Sequence, residues 1–252
     1  MCKISIVIPG IRTNKWQWVY DSIDCEDFEV IFVGPYELPK SLCGYKNVKY
    51  VRDFGSPNRC QQIGACLAEG KYITWTADDG VYMPDQLTKA IVYFEEQLKK
   101  HGDNYVLSLK YGEGGNVMTD PNYYLLGNAY PFSQYIPHTK PILNEGILSR
   151  LYFEHLGGWD CRFEVTCMAH ADLAIRIHND TDSTIELFDD PILMYEHMPG
   201  DTGDHAPVAQ AQTNADIPAF RNLYSTPQPN RTTISMSTWK CADAIWKRRS
   251  FK

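Results

Sequence analysis

The sequence predicts an α/β fold built on a doubly wound, mostly parallel sheet, and three observations carry that prediction. Short β-branched apolar runs alternate with helix-like stretches over residues 1–100. A turn signal closes each run. The polar residues suited to binding fall just beyond those closures, where open α/β sheets bind their ligands.

Ile4-Ser5-Ile6-Val7-Ile8, stopped by Pro9-Gly10, is the first expected strand. Its unbroken apolar character is that of a parallel strand buried on both faces. A helix is expected over Trp16 to Ile23, then a second strand over Phe28 to Val33, closed by Gly34-Pro35. Val48 to Val51 is a third strand, and Asn58 to Glu69 a helix ended by Gly70. Tyr72 to Thr76 is a fourth strand running into Asp78-Asp79-Gly80, and Pro84 to Lys100 is an amphipathic helix with proline at its start.

The second half changes character. A strand over Tyr105 to Tyr111 leads into Gly112-Glu113-Gly114-Gly115, read as a lid or a turn, and into a Tyr-, Pro- and Asn-rich stretch of loops with one hairpin. Ile147 to Leu156 and Ala169 to His178 read as helices, and Ile185 to Phe188 and Ile192 to Tyr195 as two strands. The expected division is a domain over 1–200, in halves of 1–100 and 101–200, and a C-terminal arm or tail over 201–252, either packed on the domain or partly disordered.

Composition narrows the classes. The net charge of −7 argues against a general electrostatic grip on nucleic acid. No apolar run is long enough to span a bilayer. Met1-Cys2-Lys3 passes straight into a strand, so no signal peptide is expected. The eight cysteines form no CxxC pair and read as reduced thiols, which points to the cytoplasm.

Asp78-Asp79 at a strand end carries the main chemical signal. Mg²⁺ or Mn²⁺ binds through one or two carboxylates and fills its other positions with water and substrate phosphate. Alone, Asp-Asp-Gly is more often a turn. Its surroundings add more. Gly64, Ala68, Gly70, Tyr72, Ile73, Asp79, Pro84 and Leu87 fall without a gap on the central block of family 2 glycosyltransferases, and Ser5 to Pro9 resembles that family's first strand. Gly157-Gly158-Trp159-Asp160 through Phe163, Asp172-Leu173 with Arg176, and Tyr195-Glu196-His197 resemble its later blocks. The similarity spans about residues 3–200.

The resemblance implies a GT-A fold and cation-dependent, inverting transfer of a sugar from a nucleotide-sugar donor, a UDP-sugar being favoured, to an acceptor hydroxyl. It implies Asp79 as the Mn²⁺ or Mg²⁺ ligand, His197 as a further ligand with His205 as the alternative, and a cation that neutralises the departing diphosphate. Pro9, Gly10, Arg12, Asp53, Arg59 and Asp78 are the expected donor-binding residues. Asp53 is equally a turn former. A saccharide, lipid, protein or modified nucleobase remains open as acceptor.

The sequence also departs from the family pattern. Ala77 stands at the first aspartate of the acidic motif, with Asp78 one position over. Gly34-Pro35 replaces an acidic pair, Gln61-Gln62 replaces Arg-Asn, and Ala169-His170 replaces the Glu-Asp pair that supplies the base. His170 is therefore one candidate base and Asp172 the other. Each also reads as a helix-start residue, Asp172 as a cap. Trp159 reads as an acceptor-stacking ring or as core.

Two other classes stay in play. A nucleotidyltransferase would release pyrophosphate, but Pro9-Gly10-Ile11-Arg12 is sparse for its Gly-rich loop. A catalytically idle carbohydrate- or partner-binding relative would explain the altered acidic positions.

Overall fold

The computed structural model describes residues 2–129, 134–196, 203 and 206–235. Its sheet, over the described residues, runs in the order β3-β2-β1-β4-β8-β6-β9-β5. The strands are β1 (Ile4–Pro9), β2 (Phe28–Gly34), β3 (Val48–Arg52), β4 (Tyr72–Trp75), β5 (Gly80–Tyr82), β6 (Tyr105–Glu113), β8 (Gly146–Ser149) and β9 (Thr184–Tyr195), with a two-residue β7 (Asn116–Val117) beside β6. β3, β2, β1 and β4 are parallel neighbours. β8 runs against β4 and β6, and β9 is parallel to β6. The sheet is thus mostly parallel, and β1, β2, β3 and β4 all end on one edge. This is the GT-A type of fold expected from the sequence.

The strands form where the residues are apolar on both faces. Ile4 to Ile8 and Val30 to Gly34 are wholly buried, as crossover-connected parallel strands require. α1 (Trp16–Asp21) follows β1, and α2 (Pro57–Cys66) packs against β1 and β2. Ser56 starts α2 by accepting the Arg59 amide, with Pro57 in the first turn. α3 (Gln86–His101) buries Leu87, Ala90, Ile91 and Phe94, one stripe at helical spacing, and stops at Gly102 with φ +84°.

The second half corrects the sequence reading in two places. Ile147, Leu148 and Ser149 belong to a strand, and α5 begins only at Arg150 (Arg150–Leu156). Leu148 fills the slot between Ile73 and Val106, closing a gap in the sheet that no other segment fills. The two expected strands after residue 184 are one, β9, which continues through Pro191 because a register irregularity opposite Lys110 absorbs it. The Gly114-Gly115 stretch is the hairpin turn between β6 and β7, with both glycines at positive φ. Between this hairpin and β8 lies a short helix, α4 (Leu126–Ala129).

α6 (Thr166–Asn179) is buried without interruption from Met168 to Ile177 and packs against α2, α5 and β9. The C-terminal arm is α7 (Ala206–Ala211), a π-helical turn (Gln212–Asp216), α8 (Ile217–Leu223) and an extended run to residue 235. It docks through Phe220 and Tyr224, both buried, and through the Ile234 amide, which donates to the Leu156 carbonyl. No helix among the described residues is long and apolar enough to cross a membrane.

Candidate active site

A cleft of about 140 Å³ opens at the shared carboxyl edge of β1 and β2, lined by Pro9, Gly10, Arg12, Gly34, Pro35 and Asp78 among others. Val208 of the arm and Thr166 at the start of α6 complete its wall. The cleft's apolar floor has a steric cause. A Cβ on Gly34 would overlap the Gly10 carbonyl oxygen, and one on Gly10 would press on the Trp16 ring at 2.7 Å. The two strand ends touch backbone to backbone, so no acidic side chain fits at residue 34.

Asp78 is the keystone of the loop after β1. Its Oδ2 accepts the Ile11 amide at 2.7 Å and the Arg12 amide at 2.5 Å, and the indole of Trp16 approaches at 3.4 Å. Its Oδ1 accepts Arg12 Nη1 at 2.6 Å. Trp16 is itself fixed by stacking on Phe32, with centroids 4.5 Å apart. Asp53 and Arg59, expected as separate donor contacts, are joined: Arg59 Nε lies 3.1 Å from the Asp53 carboxylate, which also accepts the Gly55 amide. Gly55, whose amide Asp53 accepts, lies in the cleft wall.

Asp79 faces a second, open cleft with Trp18, Val81, Gly114, Gly115, Tyr195 and Glu196. Burial raises its pKa, the Arg12 guanidinium counters this, and the neighbouring Asp78 charge adds to the rise. Arg12 Nη1 stands 3.6 Å from Asp79 Oδ1. Glu196 is engaged by Lys15 at 2.5 Å. A divalent cation here would have one carboxylate, Asp79, already facing a guanidinium. Among the described residues no three His, Cys, Asp or Glu side chains gather as a metal site. Asp79 and Glu196 are the carboxylates that face this cleft, each beside a cation of the chain's own. His197, and His205 with it, lies outside the described residues.

Sequence reasoning missed Glu145. It lies just before β8, and burial lifts its pKa well above the usual carboxylate range. Tyr195 donates to its Oε1 at 2.6 Å, and the Tyr195 hydroxyl is 2.9 Å from Thr76 Oγ1. Its other oxygen, Oε2, has no hydrogen-bond partner. Burial thus disfavours the charged form of this carboxyl. Only its position at the end of a loop-like stretch marked it in the sequence.

The two candidate bases lie in the core rather than at either cleft. His170 is wedged between Trp75 and Trp159, with ring centroids at 5.4 and 5.9 Å, and its Nε2 is 3.1 Å from Gln61 Oε1. Burial alone pushes its pKa down to about 3, so the ring is neutral and a weak proton acceptor near neutrality. Asp172 is wholly buried, held by Arg176 Nε at 2.8 Å, the Tyr224 hydroxyl at 2.7 Å and Arg231 Nε at 3.0 Å. It sits within α6, past the first turn, and is not the cap. Trp159 is core as well, edge-on to Trp75 at 5.1 Å and to Phe153 at 4.6 Å.

Two departures from the family pattern explain each other here. Gln61 and His170, which stand where that pattern has charged residues, hydrogen-bond to one another as a neutral buried pair. Gln62 in turn accepts the Trp159 amide at 2.9 Å.

No family model and no curated protein matches the sequence. Solved structures do match its fold. S. aureus TarS residues 1–349 in complex with UDP-GlcNAc aligns at TM-score 0.59 and 14% identity, over 97% of this chain and 71% of that one. The same fragment in complex with UDP aligns at 0.54 and 14% identity, over 85% and 66%. S. aureus TarS as a longer chain aligns at 0.54 and 14% identity, over 98% and 43%. This chain therefore has the TarS fold, and it spans 66% of the UDP-bound fragment and less than half of the longer chain.

Proposed function

We propose that the protein is a glycosyltransferase that takes a sugar from a nucleotide-sugar donor, a UDP-sugar first among them, and passes it to an acceptor hydroxyl with inversion. The observation that carries the reading is the cleft at the carboxyl edge of β1 and β2, with Asp78 in its wall and Asp79 facing a second cleft, on a fold shared with a protein crystallised with UDP-GlcNAc. The apolar floor from Pro9 to Gly10 and from Gly34 to Pro35 suits a base and ribose. The Arg12 end, beside the acidic turn, suits the diphosphate. That diphosphate needs positive charge near Asp79, and a divalent cation and the Arg12 guanidinium compete for the place.

Titration calorimetry of the whole chain with UDP-, GDP- and CDP-sugars, in EDTA and in Mn²⁺, tests this reading. Binding of one of them supports it, and binding of none in either buffer refutes it.

One set of observations favours a second reading, a chain that binds its ligand without transferring sugar. Both candidate bases are buried in the core, Asp172 inside an ion-pair network. Slow donor hydrolysis in the absence of acceptor separates the two, since an idle relative releases no sugar.

A further inference from the structure

Asp78 and Asp79 bring two adjacent carboxylates to a site shielded from water, with side chains 3% and 7% exposed. Two such charges need compensation. Arg12 offsets one of them: its Nη1 lies 2.6 Å from Asp78 and 3.6 Å from Asp79. The guanidinium is not there by the chance of a long side chain. The Asp78 carboxylate also accepts the backbone amides of Ile11 and Arg12, so the residue that receives the side chain also fixes the backbone it hangs from. The adjoining cation, Lys15, is turned to Glu196.

We propose that Arg12 is the resident cation of this site, doing with a side chain what a divalent metal would otherwise do, and that donor binding does not require a metal. The inference rests on the nucleotide-sugar reading above. A guanidinium presents its N–H donors as a planar fork that matches a phosphate, and it keeps its charge at any physiological pH. In transfer, the acceptor oxygen bonds to the anomeric carbon as the bond from that carbon to the β-phosphate oxygen breaks. The electron pair stays on the phosphate oxygen, and the acceptor's proton passes to water. The charge that grows on that oxygen does so beside Arg12. Asp78 is then a positioning residue. Asp79 is a carboxylate that opposes the incoming phosphate, where a metal site would have it help.

That last point gives opposite signs for one variant. Calorimetry with UDP, GDP and CDP on the full chain, in EDTA and in Mn²⁺, is the experiment. Expected is one nucleotide bound with the same affinity, within about twofold, in both buffers. Arg12→Ala should weaken it roughly tenfold or more in both, with Arg12→Lys in between. Asp79→Asn should tighten it severalfold in EDTA. Thermal melting checks that each variant folds, and Asp79→Asn keeps the test open if Arg12→Ala does not. The Mn²⁺ electron paramagnetic resonance signal should stay that of the free ion when the protein is added. Binding that appears only with Mn²⁺, and that Asp79→Asn abolishes, overturns the inference and leaves the glycosyltransferase reading standing. No nucleotide bound in either buffer overturns both.

Discussion

At His170 the surroundings decide what an imidazole does. Its ring meets Trp75, Trp159 and the Gln61 side chain, and its pKa falls to about 3. The unfolded chain therefore takes up this proton near pH 6.5, well before the folded one. The unfolded form binds more protons between those values, so stability is complete above about pH 6.5 and falls as the pH drops toward 3. His178, lowered to about 4 by burial, acts in the same direction. Denaturant midpoints measured from pH 7.5 to pH 5 should fall, His170 alone contributing about 2 kcal/mol by pH 5. His170→Gln should flatten that slope. At the same scale, Asp172→Asn strips the charge from a wholly buried pair with Arg176, a change that costs about 3–5 kcal/mol. It should lower the melting temperature steeply while the clefts keep their shape. Neither burial was legible in the sequence, because α6 is apolar on every side and its few polar residues give no inward or outward face.

Among the elements, β1, β2 and β4 were readable because a parallel strand under crossover helices is apolar throughout, and Pro9 and Gly34 mark two of its stops. β8 was not readable. Its Ile147 and Leu148 run without a breaker into the helical Arg150–Leu156, and only the slot between β4 and β6 makes them a strand. β9 failed the other way, since Asp189-Asp190-Pro191 looks like a break and is absorbed by an irregularity in pairing. The meeting of the β1 and β2 ends yields a sharper expectation. Gly34→Ala puts a methyl on the Gly10 carbonyl and must move one strand end, at a cost of roughly 1–3 kcal/mol. Nucleotide affinity should drop more than stability does, with calorimetry set beside thermal melting as the check.

For the molecule as a whole, the C-terminal arm matters most. The polar sequence left an ordered arm and a loose tail both open there, because its anchors are single residues spread over an irregular segment. Arg231 reaches Asp160 at 2.5 Å and Asp172 at 2.9 Å, Tyr224 reaches Asp172, and Asp216 accepts the amides of Glu164 and Val165 just before α6. Ending the chain at residue 205 leaves Asp160 without one of its guanidinium partners and uncovers α6. The shortened protein should lose cooperative unfolding, which near-ultraviolet circular dichroism during a denaturant titration would register.

The same arm lends Val208 to the wall of the cleft at the ends of β1 and β2. One segment therefore lines the cleft and ties down two core carboxylates, so a ligand held there should also steady the chain's end. A nucleotide arriving at the far edge of β1 should then be felt some twenty residues past Val208, as slower hydrogen exchange at the amides around Tyr224 and Arg231.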